Sequence, residues 1–203
     1  MKSVNMNERA YARELDSADT LRRFRERFYR QEGQLYMGGN SLGLCSKDSE
    51  EAILRVLNEW KQRGIGLWTE PEVPLFTYHD YLAGMLAPLI GAEADEVTIH
   101  ANTTVNIHTC IGTFYRPTEE RYKILVDDLN FPTDLYAVEG QIKLKGLDPA
   151  ECMKMVKSRD GRFLETDDII AAMSEDVALI LLPSVLYRSG QLLDMPAITA
   201  AAQ

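Results

Sequence analysis

The segment IHANTTVNIHT, residues 99–109, places hydroxyl and amide side chains where a strand is expected to turn into a helix. Asn102 can accept a hydrogen bond from a first-turn amide, and Thr103 and Thr104 then occupy the first helical positions. Amides at a helix start have no carbonyl partner within the helix and lie at its positive end, which favours a phosphate. The same residues also suit an ordinary capped helix start, and taken alone they favour that plainer interpretation.

A second strand-to-helix corner lies in YKILVDDLNFPTDLYA, residues 122–137. It places Phe131, Thr133 and Asp134 just past the carboxyl end of a strand, where open α/β sheets bind ligands. An aromatic ring and a nearby carboxylate can stack on a heteroaromatic cofactor and match its charge. Alternatively, Asp134 complements the dipole of an ordinary helix start and Phe131 acts as a hydrophobic staple.

A third corner follows the apolar run VALILL, residues 177–182, and carries Ser184, Tyr187 and Ser189. Polar groups again follow a buried strand, as they do at the other two corners. Three corners with compatible chemistry support a ligand site better than any one of them alone.

The other chemistry-bearing residues form no known motif. MGGNSLGL, residues 37–44, matches neither G-x-G-x-x-G nor a P-loop, and Ser41 lacks the context of a nucleophile elbow. His79, His100 and His108 lack metal-ligand spacing, so we expect no metal site.

The elements that must position these corners alternate between strands and helices. Strands are predicted at 96–100, 122–126, 152–156 and 177–182, the last with the apolar character of a strand buried on both faces. Helices are predicted within the first thirty residues and at 46–63, 78–90, 102–110, from Pro132, at 166–173 and from Pro196. This order predicts βαβ units in a mostly parallel open α/β sheet.

The segment before the sheet is expected to be helical. Ser46 should cap a helix that ends at Gly64, and its apolar residues Ile53, Val56, Leu57 and Trp60 recur with helical spacing, which predicts a buried stripe. The stretch 64–74 is expected to be an irregular loop.

Composition excludes several classes of protein. Of 203 residues, 45% are hydrophobic and 26% charged, which is ordinary globular usage and excludes a disordered or fibrous chain. The net charge of −9 argues against nucleic acid or an anionic membrane surface as the main partner. No apolar run is long enough to span a bilayer, and the first residues show no pattern of a secretory signal. Cys45, Cys110 and Cys152 are widely spaced, which predicts free thiols and a cytoplasmic location.

Four segments together closely resemble the kynureninase family. They are GNSLGL (39–44), NTTVNIH (102–108), RYKILVDDLNFPTDLYA (121–137) and SVLYRSGQLLDMPAIT (184–199), and the FPTD and YRSGQLLDMP parts are specific in combination. The family consists of pyridoxal-phosphate enzymes of the aspartate-aminotransferase fold, fold type I. The resemblance therefore implies the N-terminal part of an α/β large domain with a mostly parallel sheet, preceded by a helical segment, and pyridoxal 5'-phosphate (PLP) as cofactor.

The resemblance also implies roles for individual residues. The cofactor-binding residues would be Thr103, Thr104, Phe131, Pro132, Thr133 and Asp134. In that assignment the two threonines grip the phosphate, Phe131 stacks on the pyridine ring, and Asp134 lies near the pyridine nitrogen. Ser184 is the neighbour of Pro183, which stands where some relatives carry a hydroxyl residue. Ser41 and Trp68 would lie at the substrate end.

The implied reaction is hydrolysis of kynurenine or 3-hydroxykynurenine to anthranilate or 3-hydroxyanthranilate plus alanine, a step of tryptophan catabolism. The implied partners are that small-molecule substrate and a second subunit in a homodimer, with no nucleic acid and no membrane.

One departure from the family is larger than any substitution. Full-length members are about twice as long, and none of the lysines here stands in the family's S-Y-K setting, so the Schiff-base lysine is expected to be absent. The resemblance also places the principal pyridine-nitrogen aspartate and a further cofactor-binding histidine in the second half of the family's chain. The chain is thus expected to be an N-terminal half: residues 1–65 a helical small-domain or arm segment, and residues 66–203 an incomplete large domain, inactive when isolated. The alternatives are a cysteine-desulfurase-like lyase of the same fold, which FPTD and YRSGQ disfavour, and a non-catalytic truncated protein.

Overall fold

The structure is a computed structural model, and it describes residues 8–203. Its backbone contacts divide the chain into two compact units, Met1–Ile99 (unit 1) and His100–Gln203 (unit 2). The assignment of residues 1–65 and 66–203 to a small and a large domain stays a prediction.

The described part of unit 1 is helical. Its α-helices are α1 (Arg9–Ala18), α2 (Lys47–Arg63) and α3 (Tyr78–Ile90), and short 3-10 helices occupy Arg22–Arg27, Gly64–Trp68, Leu75–Thr77 and Ala94–Glu96. The stretch 64–74, expected to be irregular, therefore begins with one 3-10 helix.

Local sequence signals set the ends of α2 and α3. The Ser46 hydroxyl accepts a hydrogen bond from the amide of Ser49 at 3.0 Å, which caps α2 as predicted. Gly64 follows the last residue of α2, and Gly91 ends α3 in a left-handed conformation at φ 71°.

The amphipathic helix predicted over the first thirty residues is shorter than expected. α1 ends at Ala18 because Asp19 is extended and its side chain accepts a hydrogen bond from the amide of Leu21 at 2.8 Å. Residues 1–7 of the predicted helix lie outside the described residues.

The predicted buried stripe of α2 is wrong for this structure. Ile53 is 67% exposed and Trp60 is 62% exposed, and α2 has no buried residue. The stripe instead lines an open cavity of about 470 Å³ within unit 1, together with Leu67 and Trp68. The helical periodicity identified the apolar face, but burial also requires an element that covers it.

Unit 2 is an α/β unit built on a parallel sheet. Its strands are β1 (Lys123–Asp127), β2 (Met153–Val156) and β3 (Val177–Ile180), in the order β2-β1-β3, and both pairs are parallel. Its helices are α4 (Thr103–Phe114), α5 (Pro132–Leu144), α6 (Pro149–Cys152), α7 (Thr166–Ala171) and α8 (Met195–Ala202).

The core of unit 2 lies on both faces of the sheet because β1 alternates its side chains between them. Ile124 and Val126 join a cluster with residues of α4 and α5, whereas Leu125 joins a cluster with residues of α7 and α8. The central strand is thus buried on both faces, and it fixes the helices on either side.

Two strand predictions need correction. Residues 97–100 form no strand, since none of the described strands pairs with them, and a strand is defined by its ladder of hydrogen bonds. The run 177–182 forms a strand only to Ile180, and most of β3 is half-buried because the strand lies at the edge of the sheet.

Candidate functional site

The three corners predicted from the sequence share the carboxyl edge of the sheet in unit 2. α5 begins where β1 ends, and the chain that follows β3 also leaves the sheet at that edge. α4 ends shortly before β1 begins, so its C-terminus lies towards the opposite edge and its first residues towards the carboxyl edge. Ligands of open α/β sheets bind at this edge.

The start of α4 provides unpaired amides. The Asn102 side chain accepts a hydrogen bond from the amide of Val105 at 3.0 Å, which confirms the predicted cap, although the helix runs past Cys110 to Phe114. The amides of Thr103 and Thr104 lie in the first turn, so no carbonyl within the helix can accept a hydrogen bond from them. The first turn contains no acidic residue, so nothing there opposes an anion.

The start of α5 brings the second and third corners together. Pro132 is its first residue, as predicted, and Phe131 precedes it. The Phe131 ring meets Tyr187 edge-on, with centroids 5.1 Å apart, while 48% of Phe131 remains exposed. One aromatic ring at this corner is therefore held by a neighbour and still accessible to a ligand.

Asp134 lies half-buried in the first turn of α5. Burial raises the pKa of its carboxyl group, and a 3.4 Å hydrogen bond donated by the Thr133 hydroxyl opposes that shift. No ion pair involving Asp134 occurs among the described residues. A partly desolvated carboxylate of this kind favours an N–H donor or a cation.

A turn after β3 holds Tyr187 in place. Val185 and Leu192 form an antiparallel bridge, and the Gln191 side chain closes the loop against Leu164. The Gln191 oxygen accepts a hydrogen bond from the Leu164 amide at 2.9 Å, and its nitrogen donates to the Leu164 carbonyl at 2.7 Å. This role of Gln191 could not be predicted from a local pattern, because Leu164 lies 27 residues away along the chain.

Asp127, at the carboxyl end of β1, is a further candidate that was not predicted from the sequence. The residue is fully buried, and Oδ1 accepts a hydrogen bond from the Leu129 amide at 2.9 Å while Oδ2 has no hydrogen-bond partner. Burial is the main cause that raises its pKa to about 6. The pair Asp127 and Asp128, directly after the mostly apolar run 122–126, is the sequence feature that could have identified it.

The remaining predicted site residues are Ser41, Trp68 and Ser184. Ser41 is exposed in a turn of unit 1, where its amide donates to the Gly38 carbonyl at 3.0 Å. Trp68, also in unit 1, packs on Phe76 with centroids 5.1 Å apart. Ser184 is exposed in the turn after β3. A shared site for these residues and the carboxyl edge stays a prediction.

Residues 8–203 contain no group of three or more His, Cys, Asp or Glu side chains placed to hold a metal ion. None of the helices in this part of the chain combines the length and apolar composition that a membrane crossing needs.

The donors at the carboxyl edge fit a phosphorylated heteroaromatic cofactor such as PLP. The unpaired amides and the hydroxyls at the start of α4 suit the phosphate, the accessible ring of Phe131 suits the cofactor ring, and the Asp134 carboxylate, which forms no ion pair among the described residues, suits a ring N–H. All of these groups belong to unit 2.

The chain is similar to curated kynureninases, whereas no protein-family model matches it. It is 55% identical to the kynureninase of Bacillus anthracis, 52% to that of Geobacillus thermodenitrificans and 50% to that of Shouchella clausii. Each alignment spans 192 residues, which is 95% of this chain and 45% of the relative. The chain therefore spans less than half the length of these relatives.

Solved structures of PLP-dependent enzymes share the fold. A variant of C-DES with glycine covalently linked to its PLP cofactor matches 87% of this chain and 45% of its own, with a TM-score of 0.73 and 16% identity. The apo structure of a cysteine desulfurase from Thermococcus onnurineus matches 89% of this chain and 44% of its own, with a TM-score of 0.65 and 13% identity. At these identities the similarity establishes the fold alone, and it confirms the predicted α/β, fold-type-I class.

Proposed function

This chain belongs to the kynureninase family, with 50–55% identity to curated members along 95% of its length, and we propose that it carries the cofactor-binding, N-terminal part of a kynureninase active site. The proposed activity of the whole enzyme is PLP-dependent hydrolysis of kynurenine or 3-hydroxykynurenine to anthranilate or 3-hydroxyanthranilate plus alanine. Identity at this level supports the reaction named by the relatives over the cysteine chemistry named by the more distant structures, which share only the fold.

In this proposal, the cofactor supplies an electron sink for the charge that develops on the substrate during bond cleavage. The amides and hydroxyls of Thr103 and Thr104 bind the phosphate at the positive end of α4. Phe131 stacks on the pyridine ring, and Pro132 and Thr133 shape the turn that presents it. Asp134 would lie near the ring nitrogen and help to keep it protonated, which favours an electron-poor ring.

The substrate and partner assignments extend the proposal beyond unit 2. Ser41 and Trp68 would contact the substrate, and Ser184 would lie beside the cofactor. The whole enzyme would work as a homodimer in the cytoplasm on a free amino acid, as part of tryptophan catabolism. The match of GNSLGL to the family pattern supports the assignment of Ser41, and that of SVLYRSGQLLDMPAIT supports the assignment of Ser184. The other assignments follow from the family resemblance alone.

One observation carries the proposal: phosphate donors, an accessible aromatic ring and a half-buried carboxylate all lie at the carboxyl edge of a parallel sheet. The test is equilibrium dialysis of PLP against the 203-residue chain and two threonine variants. Thr104→Val should weaken PLP binding by about tenfold, the scale of one lost hydrogen bond to a charged group. Thr113→Val, on an exposed turn at the other end of α4, is the matched control and should leave binding unchanged.

A second variant separates ring recognition from phosphate recognition. Asp134→Asn removes the charge near the ring nitrogen, so PLP binding should weaken while binding of inorganic phosphate stays the same. Equal losses for both ligands would show that Asp134 merely caps α5. Failure of the unmodified chain to bind PLP would contradict the proposed cofactor site.

A further inference from the structure

Gln141 is one of three buried polar or charged residues among residues 8–203, with Asp127 and Asn130. It lies in α5, and its side-chain amide donates to Nδ1 of His108 in α4, with 2.9 Å between the two nitrogens. A buried amide requires such a partner because its desolvation is otherwise uncompensated. The hydrogen bond leaves the proton of neutral His108 on Nε2.

The two helices approach closely at this hydrogen bond. A Cβ atom added at Gly140 would lie 3.4 Å from Cε1 of His108, and one added at Gly112 would lie 3.5 Å from the Gln141 side-chain oxygen. Glycines thus stand on both helices beside the polar pair. At both positions the added atom would make an ordinary van der Waals contact with the pair, so the pair lies directly against both helices.

The contacts around the pair are apolar. Ile111 of α4 packs in one cluster with Val138 and Ile142 of α5. Apolar contacts are non-directional, whereas a hydrogen bond depends on both its length and its angle. The 2.9 Å hydrogen bond therefore adds a directional constraint on the two helices to the one that packing supplies.

α4 and α5 are also the helices whose first residues carry the proposed phosphate and ring contacts. We propose that Gln141 and His108 are positioning residues that fix the spacing between the start of α4, at Thr103 and Thr104, and the start of α5, at Phe131 and Asp134. This inference rests on the proposed function, since it assigns a purpose to that spacing. A phosphate ion contacts α4 alone, whereas PLP must reach both helix starts.

The experiment compares two ligands and two variants of neighbouring residues in the 203-residue chain. Gln141→Leu removes the hydrogen bond and should weaken PLP binding by about tenfold while inorganic phosphate binding changes less than about twofold. Ile142→Val removes a buried methyl group from the same turn and is the control for a simple loss of packing. It should leave the ratio of the two affinities unchanged.

Gln141→Glu provides the rescue. It retains an oxygen that can accept a hydrogen bond from Nδ1 of His108 in its other tautomer, so PLP affinity should return to within a few-fold of the unmodified chain. If Gln141→Leu and Ile142→Val reduce PLP binding equally, or if Gln141→Glu gives no recovery, the positioning role is overturned.

A cofactor-free measurement keeps this inference separate from the proposed function. Spin labels on cysteines introduced by Ala101→Cys and Tyr136→Cys, with the exposed Cys45 and Cys110 replaced by serine, report the distance between the two helix starts. Gln141→Leu should broaden the distance distribution, and Ile142→Val should not. An unchanged distribution overturns the positioning role. A broadened distribution in a chain that fails to bind PLP upholds it and rejects the proposed function instead.

Discussion

The helices of unit 2 are held by a core, whereas those of unit 1 depend mainly on their own sequence. In unit 2, Ile124, Leu125 and Val126 of β1 are fully buried, and helices cover both faces of the sheet. In the described part of unit 1, the buried residues are Leu67, Pro71, Ala83 and Ala87, and α1 and α2 bury none.

This difference separates two sources of helical structure. α2 has a capping serine, acidic residues in its first turn, basic residues in its last turn and a glycine after its end. α5 has fewer such signals but buries Ala137, Val138, Gln141 and Ile142. Local signals can define where a helix begins and ends, while packing supplies most of its stability.

The largest expected effect separates the cores of the two units. Ile124→Ala leaves a cavity in the centre of unit 2 and should lower its free energy of unfolding by about 2–5 kcal/mol. Ile53→Ala, on the exposed face of α2, should change stability by less than about 0.5 kcal/mol. Urea denaturation can follow both units at once, because the chain's two tryptophans, Trp60 and Trp68, lie in unit 1 and amide exchange of residues 123–127 reports unit 2.

The tryptophan signal tests whether the stability of unit 1 is independent of the core of unit 2. Ile124→Ala should shift the exchange of the β1 amides far more than the tryptophan fluorescence midpoint. Equal shifts of the two probes would show that the units unfold as one cooperative body.

The sequence predicted the elements better than it predicted burial. The bounds of α3 were predicted to the residue because Gly91 ends it, and β1 and β2 were predicted to within one residue because their apolar runs are short and well delimited. The strand at 96–100 and the buried stripe of α2 failed for a common reason. Both depend on a partner element, which a local pattern does not contain.

The candidate site shows the same division. Phe131 and Asp134 could be selected from the sequence because they stand at a strand-to-helix corner, and Thr103 because it stands at a capped helix start. Gln141 and Gln191 could not, because their hydrogen-bond partners lie 33 and 27 residues away along the chain. A local sequence pattern can predict the polar side chains at helix starts. It cannot predict the long-range contacts that hold those helix starts in place.

A pH-dependent effect should appear in unit 2 through Asp127. Its pKa of about 6 in the folded state exceeds the value of about 4 expected in the unfolded chain. The folded state therefore holds this proton more tightly, and stability present below about pH 4 is lost as the pH rises through 6. Asp127→Asn keeps the oxygen that accepts from the Leu129 amide but cannot ionise, so it should stabilise the protein at pH 8 by about 1–3 kcal/mol.

The measurement is the urea midpoint of wild type and variant at pH 5 and pH 8. From pH 5 to pH 8, the urea midpoint of wild type should fall relative to that of Asp127→Asn. Asp128→Asn is the adjacent control: Asp128 is only half-buried, and its Oδ1 accepts a hydrogen bond from the Ser158 amide. The Asp128 charge also contributes to the raised pKa of Asp127, so this control should reduce the wild-type slope slightly and keep most of it. Parallel pH profiles for wild type and Asp127→Asn would refute the assignment of the slope to Asp127.

The smallest expected effect compares equivalent caps in the two units. Ser46 caps α2 and Asn102 caps α4, each by accepting a hydrogen bond at 3.0 Å from the amide three residues later. Replacement of either by alanine should cost about 1 kcal/mol.

In α2, which buries no residue, the loss should appear as faster amide exchange in the first turn of the helix and leave the unfolding of unit 2 unchanged. In α4, Ile111 holds the helix on the core, so Asn102→Ala should lower the urea midpoint of the whole unit with little local fraying. Amide exchange of the first helical turns, measured together with the urea midpoint of unit 2, distinguishes the two patterns. Local fraying of α4 in Asn102→Ala would mean that the start of α4, where the phosphate is proposed to bind, is held by its cap and not by the core.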